Sequence, residues 1–116
     1  MKIELRFRSI EPSNALREYV ARRVHFQLSR FNGQLDSVIV RIADINGPKG
    51  GNDKRCHVMV KGRALGPVTI DELSADAYVA VDLALDRAAR SVGRELERRR
   101  SARRAESAVD VVPRAS

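Results

Sequence analysis

The chain has 116 residues, which is typical of one domain, and 43% of them are hydrophobic, which argues against a disordered chain. Its formal net charge is +7 and its sequence pI is about 10.5, so we expect a polyanionic partner, either a nucleic acid or an anionic membrane surface. Only 4% of residues are aromatic, and no apolar run approaches the roughly 20 residues of a membrane-spanning helix. A platform of stacked bases is therefore disfavoured, and we expect no membrane partner.

The first half of the chain predicts a strand, a helix and a second strand. Residues 2–8, KIELRFR, alternate apolar and charged side chains, as a strand with one buried face does. A helix follows, with Ser13 as its predicted N-cap and Asn32-Gly33 as its expected end. The β-branched segment SVIVRIADI, residues 37–45, predicts the second strand. The helix has an apolar residue at every fourth position: Leu16, Val20, Val24 and Leu28.

The second half predicts a hairpin, a further strand and a long helix. A polar turn-rich segment, NGPKGGND, separates the second strand from KRCHVMVKG at residues 54–62. The weaker segment PVTIDEL, residues 67–73, predicts a fourth strand. A helix is expected over residues 74–100, with Ser74 as its cap and Asp76 in its first turn.

These elements predict an α+β fold in the order β-α-β-β-β-α. The first strand, the crossover helix and the second strand should form a right-handed parallel unit, to which the hairpins add antiparallel strands. A four-stranded mixed sheet with two helices on one face would bury the apolar stripe of each helix. Residues 1–100 are the expected domain, and residues 101–116 lose the helical period and are expected to be a flexible C-terminal tail.

The long helix carries arginines at spacings of three, four and four residues. At about 100° per residue, their side chains fall within an arc of about 80°, roughly opposite the apolar stripe. A solvated surface would explain one or two such residues, whereas a longer row of one sign favours binding to phosphates. This arginine stripe consists of Arg87, Arg90, Arg94 and Arg98, and the basic run continues through Arg99, Arg100, Arg103 and Arg104.

Basic residues elsewhere give weaker signals. Arg22 and His25 lie on the outer face of the first helix, whereas Arg23 lies near the edge of its apolar face and could extend from the core boundary into solvent. The Gly-rich loop lacks the spacing of a nucleotide-binding loop and precedes a strand instead of a helix. Its basic residues, Lys49, Lys54 and Arg55, could nevertheless contact RNA.

The sequence shows no catalytic or metal-binding set. Cys56 and His57 are adjacent, so in a strand their side chains point to opposite faces and cannot act as a nucleophile and its base. The only other histidine is His25, and one cysteine cannot form an intramolecular disulfide. We therefore expect a cytoplasmic protein that is not an enzyme and uses no cofactor, no metal and no small-molecule substrate.

Two segments resemble the family of the ribosome hibernation-promoting factor and ribosome-associated inhibitor, also described as sigma-54 modulation proteins. They are NALREYVARRV, residues 14–24, and SADAYVAVDLALDRAARSVGREL, residues 74–96, and the resemblance extends over about residues 2–100. It implies the same element order, in a layout related to double-stranded RNA-binding domains. It also implies binding to the small ribosomal subunit in the channel used by mRNA and tRNA, which inhibits translation under stress and in stationary phase.

The resemblance also implies a set of contacts with rRNA. Arg22 and Arg23 match basic positions of the family's first helix, and Arg87, Arg90 and Arg94 match those of the second. The loop at 46–55 is longer and richer in Gly than in many members. From the resemblance we expect the short form of the family, which lacks the further C-terminal domain of long members. The whole predicted interface is Arg22, Arg23, His25, Arg87, Arg90, Arg94 and Arg98, with Lys49, Lys54 and Arg55 as possible loop contacts.

Two alternatives remain open from the sequence. One is a general double-stranded RNA or other nucleic-acid-binding protein, and the other is an RNA-associated enzyme subunit. Competition with initiator tRNA on ribosomes would separate the first alternative from a ribosome-binding inhibitor. Away from the ribosome we expect a monomer.

Overall fold

The computed structural model describes residues 1–45, 53–63 and 65–115, with side chains as far as Glu106. The chain forms the predicted α+β fold, and the order β-α-β-β-β-α is confirmed. A short 3₁₀ helix, Ser29–Gln34, lies between the first helix and the second strand. The other elements are β1 (Lys2–Arg8), α1 (Asn14–Leu28), β2 (Leu35–Asp44), β3 (Lys54–Gly62), β4 (Leu65–Ser74) and α2 (Ala77–Ala115).

The four strands form one mixed sheet in the order β1-β2-β3-β4. β1 runs parallel to β2, because α1 carries the chain across between them, while β3 and β4 are antiparallel to their neighbours. In one register row Leu5 lies beside Val40, Val40 faces Val58, and Val58 faces Ile70. This row belongs to the apolar face of the sheet, which forms half of the core.

The two helices cover that apolar face and leave the other face of the sheet open. α2 packs on β3 and β4, and α1 packs beside α2. Burying one valine or leucine side chain contributes about 1.5–3 kcal/mol, so the helices are held mainly by their apolar stripes. The fully buried stripe residues include Val20, Val24 and Leu28 of α1 and Val81, Leu85, Ala88 and Val92 of α2.

The first helix begins as predicted and ends earlier. The hydroxyl of Ser13 accepts a hydrogen bond of 3.1 Å from the backbone N–H of Leu16, which confirms the N-cap. The α-helix ends at Leu28, and Asn32 and Gly33 lie in the 3₁₀ helix that follows, so the expected end at Asn32-Gly33 is corrected. The tighter 3₁₀ turn brings the chain directly into β2, which starts two residues before the predicted boundary.

The long helix differs from its prediction at both ends. Asp76 caps it in place of Ser74, since the Asp76 carboxylate accepts a hydrogen bond of 2.8 Å from the N–H of Tyr78, whereas Ser74 ends β4. The helix also continues beyond Arg100 to Ala115. Ala, Arg and Glu dominate residues 101–106 and are strong helix formers, so this stretch is helical although its side chains are all exposed. The flexibility expected of residues 101–116 stays a prediction.

Candidate nucleic-acid interface

The arginine stripe of α2 is exposed, but much of it is paired with acidic side chains. Arg87 donates a hydrogen bond of 2.6 Å to a carboxylate oxygen of Glu72, which lies on β4. Arg90 pairs with Asp86 one helical turn away, at 3.0 Å. The sequence does not reveal the first pair, because Glu72 and Arg87 come together only when α2 packs beside β4.

The second half of the stripe contains the arginine that is most free to bind a phosphate. Arg98 pairs with Glu95, one turn earlier in the helix. Arg94 contacts only the hydroxyl of Ser91, at 3.4 Å, and has no acidic partner among the described side chains. Within the stripe, Arg94 is therefore the residue that can reach a phosphate without first leaving a carboxylate.

On α1 the structure separates Arg23 from its predicted neighbours. Its Nε lies 3.2 Å from a carboxylate oxygen of Asp82 on α2, and only 28% of its side chain is exposed. Arg22 and His25 are exposed, and neither has an ion-pair partner in the part of the chain that the structure describes. Arg23 thus belongs to the joint between the helices, whereas Arg22 and His25 point away from the body of the protein.

An aromatic residue that the sequence analysis did not single out lies beside these groups. Phe26 is 76% exposed, and the guanidinium carbon of Arg23 lies 5.2 Å from the centre of its ring. The sequence does indicate this exposure, because Phe26 lies off the apolar line of α1 and a phenylalanine there cannot reach the core. One exposed ring among basic side chains can stack on a single unpaired base.

Of the three predicted loop contacts, the structure describes Lys54 and Arg55, and both are paired with acidic side chains. Lys49 lies outside the described residues. Lys54 Nζ lies 3.0 Å from Asp53 Oδ1 and 3.3 Å from Asp44 Oδ2, and the hydrogen bond to Asp53 raises the pKa of Lys54. Because the Asp53 side chain is only 2% exposed, Lys54 compensates a buried charge at the base of the hairpin and is poorly placed for RNA.

Arg55 lies on the open face of the sheet, where it is paired. Its Nε donates a hydrogen bond of 2.8 Å to Asp71 Oδ1, and the Nδ1 of His57 lies 3.0 Å from the same oxygen. The bond from Arg55 lowers the pKa of Asp71, and the same contact raises the pKa of Arg55. The cluster therefore extends the pH range in which Asp71 is ionised to lower pH.

Arg87 and the joint between the two helices lie on different sides of α2. Asp82 faces α1, whereas Arg87 reaches β4. At about 100° per residue, these two positions lie about 140° apart around α2. Arg87 therefore lies on the β4 side of α2, away from the joint with α1.

Cys56 and His57 do not form a nucleophile–base pair. Cys56 is fully buried, and its burial raises the pKa of the thiol to about 12. His57 is on the opposite face of β3, as predicted. Within the described ranges no three His, Cys, Asp or Glu side chains group as metal ligands do, and no helix is both long and apolar enough to cross a membrane.

Comparisons with known proteins give one consistent result. The family described as Sigma 54 modulation protein / S30EA ribosomal protein matches residues 3–100. The N-terminal domain of Protein Y from Thermus thermophilus is 26% identical, with a TM-score of 0.65 over 81% of this chain and 98% of that chain. A ribosomal subunit interface protein from Coxiella burnetii is 21% identical, with a TM-score of 0.66 over 81% of this chain and 96% of that chain. No curated protein sequence matches the chain.

Proposed function

The chain belongs to the Sigma 54 modulation protein / S30EA ribosomal protein family, and from this premise we propose that it inhibits translation by occupying the mRNA and tRNA channel of the small ribosomal subunit. Family membership and fold together indicate a ribosome-associated protein of the hibernation or interface type. The observation that carries the proposal is the family match over residues 3–100, since these residues include α1 and the basic part of α2.

The proposed contacts are between exposed arginines and rRNA phosphates. Arg22 and Arg94 supply guanidinium groups without acidic partners among the described residues, and they are the first contacts we assign. Arg87 and Arg90 can also bind phosphates, if each gives up the carboxylate that it contacts in the free protein. Exposed ion pairs are worth only about 0–1 kcal/mol, whereas a guanidinium can bind a phosphate through two parallel hydrogen bonds.

The inhibition follows from occupancy of the channel, so no chemical step is needed. We infer a non-enzymatic role in the cytoplasm, where ribosomes work. The burial of Cys56 and its raised thiol pKa support this inference, because a nucleophilic cysteine needs an accessible thiolate.

Sedimentation with purified ribosomal subunits tests the proposal. We expect the protein to cosediment with the small subunit, to be displaced by initiator tRNA and mRNA, and to lower protein synthesis in a purified translation system. Binding only to the large subunit would contradict it, as would unchanged translation at saturating protein.

A general double-stranded RNA binder gives a different outcome. Such a protein would bind a synthetic RNA duplex as tightly as it binds the subunit, and initiator tRNA would not compete specifically. Measuring both affinities at one salt concentration separates the two functions, because affinities for RNA depend strongly on salt.

A further inference from the structure

The open face of the sheet, which the helices leave uncovered, has a strongly basic end. Strand alternation puts Arg6, Arg8, Arg41 and Arg55 on this face, away from the core. The four side chains line a groove of about 750 Å³. Neither helix reaches this groove, so the arginine stripe of α2 does not contribute to it.

The register of the strands brings like charges together. Arg6 lies directly beside Arg41 in the parallel pair of β1 and β2. Like charges at directly opposed positions destabilise a sheet. The fold does not need two arginines here, because a neutral polar side chain at either position would be equally compatible with a solvent-exposed sheet face.

The acidic residues nearby do not neutralise the groove. Glu4 pairs with Arg6 at 2.8 Å and Asp71 pairs with Arg55 at 2.8 Å. Arg8 and Arg41 have no acidic partner among the side chains that the structure describes.

The acid that lines the groove is also engaged. Asp44 contacts Lys54 at 3.3 Å, so its charge is already compensated. The groove as a whole is therefore positively charged, with Arg8 and Arg41 as its available donors.

The rim of the groove holds the backbone in a conformation that L residues seldom adopt. Ser9, which directly follows Arg8 and lines the groove, has a φ of 57°. A side chain other than glycine in the left-handed region costs free energy, and such residues are more frequent at binding sites than elsewhere. The strained turn fixes the direction in which the chain leaves Arg8.

We infer that this groove is a second RNA-binding surface, in which Arg8 and Arg41 bind backbone phosphates of an RNA segment distinct from the one that contacts the helices. The inference rests on the proposed function for its partner. Because the groove and the helices lie on opposite faces of the sheet, the protein would be held between two RNA segments. Arg6 and Arg55 would join by exchanging Glu4 and Asp71 for phosphate oxygens.

A double variant, Arg8→Gln with Arg41→Gln, tests the assignment against a matched control. The control, Lys2→Gln with Lys61→Gln, removes the same charge from the other end of the same open face. The arginine variant should lose roughly tenfold in small-subunit affinity for each residue, as expected for a hydrogen bond between charged groups. Its slope of log affinity against log salt should be shallower by about 1.4 for a single-stranded segment or about 1.8 for a duplex. The control should lose no more than about threefold in affinity through long-range charge.

Arginine protection locates the contact directly. Phenylglyoxal modification followed by mass spectrometry should show that small subunits protect Arg8 and Arg41 in the unaltered protein. The melting temperature of the arginine variant should stay equal or rise, because repulsion between Arg6 and Arg41 is removed. If the arginine variant loses affinity because it unfolds, its melting curve will show this. The protection experiment on the unaltered protein then decides whether Arg8 and Arg41 contact RNA.

The outcomes separate this inference from the proposed function. If the unaltered protein binds small subunits and inhibits translation while the arginine variant matches its control, the groove is not an RNA site and the proposed function stands. If the unaltered protein fails to bind subunits, the proposed function fails. Protection of Arg8 and Arg41 by oligouridine then decides whether the groove binds RNA. Protection by ATP but not by RNA would assign the groove to a small anion and overturn the inference.

Discussion

The hydroxyl of Tyr19 donates a hydrogen bond of 2.6 Å to Oδ1 of Asp82 and thereby joins α1 to α2 across 63 positions of sequence. The same oxygen lies 3.2 Å from Nε of Arg23. The rings of Tyr19 and Tyr78 meet edge to face, with centroids 4.9 Å apart. Asp82 thus sets how the two helices lie against each other, and it holds Arg23 at the joint.

Removing the Tyr19 hydroxyl should loosen this joint. We expect Tyr19→Phe to lower the free energy of unfolding by about 1 kcal/mol, because the bond to the carboxylate is lost while the aromatic contact is kept. Urea unfolding measures the change. In the Asp82→Ala background, which has no acceptor for the hydroxyl, the same substitution should cost clearly less, and an equal cost in both backgrounds would contradict the coupling between the two residues.

Within the arginine stripe, Arg94 should contribute more to ribosome affinity than Arg87. Arg94 has no carboxylate to leave, whereas Arg87 must give up its 2.6 Å bond with Glu72 before it binds phosphate. We expect Arg94→Ala to weaken small-subunit binding several-fold more than Arg87→Ala, as measured by filter binding at fixed salt.

Two further variants complete this comparison. Glu72→Gln should raise the affinity of the otherwise unaltered protein, because it releases Arg87. Arg103→Ala with Arg104→Ala removes two basic residues outside the stripe and should matter less than Arg94→Ala alone. Equal losses for Arg87→Ala and Arg94→Ala would show that pairing with Glu72 does not restrain Arg87.

The fold was predictable from the sequence because each element has a clear period. The alternation in residues 2–8 and the apolar residues at every fourth position of α1 define which side of each element is buried. The helix ends were less predictable. Ser74 and Asp76 are both good caps, and only the extension of β4 to Ser74 leaves Asp76 to cap α2.

The candidate site was predictable as a list of exposed arginines but not as a surface. Salt bridges between distant positions, such as Arg87 with Glu72, depend on how α2 lies beside β4. The groove on the open face also needed strand register, since Arg6 and Arg41 are neighbours only when β1 and β2 are aligned. Local periodicity contains neither kind of information.

Cys56 should be unreactive in the folded protein. It is fully buried, and the pKa of its thiol is raised to about 12, mainly by burial. At pH 8 we expect almost no thiolate, so iodoacetamide should label Cys56 only as fast as the protein unfolds. Cys56→Ala should cost about 1 kcal/mol through lost packing and leave ribosome binding unchanged. Fast labelling under native conditions would contradict the buried position.

Asp71 should make stability depend on pH in the acidic range. The hydrogen bond from Arg55 is the main cause that lowers the pKa of Asp71 in the folded protein, and the contact with His57 acts in the same direction. A carboxyl group whose folded pKa lies below the unfolded value of about 3.9 stabilises the fold above that pH, and the contribution is lost as the pH falls through the folded pKa.

The test compares the melting temperature of the unaltered protein with that of Asp71→Asn from neutral to strongly acidic pH. The difference should be largest near neutral pH, where the carboxylate is ionised, and should shrink as the pH falls below about 4. A His57→Asn background, used in both proteins, keeps imidazole protonation out of the comparison. At neutral pH Asp71→Asn should also bind short RNA more tightly, because Arg55 then has no acidic partner in the groove. A pH-independent melting difference would show that Asp71 acts through packing and not through its charge.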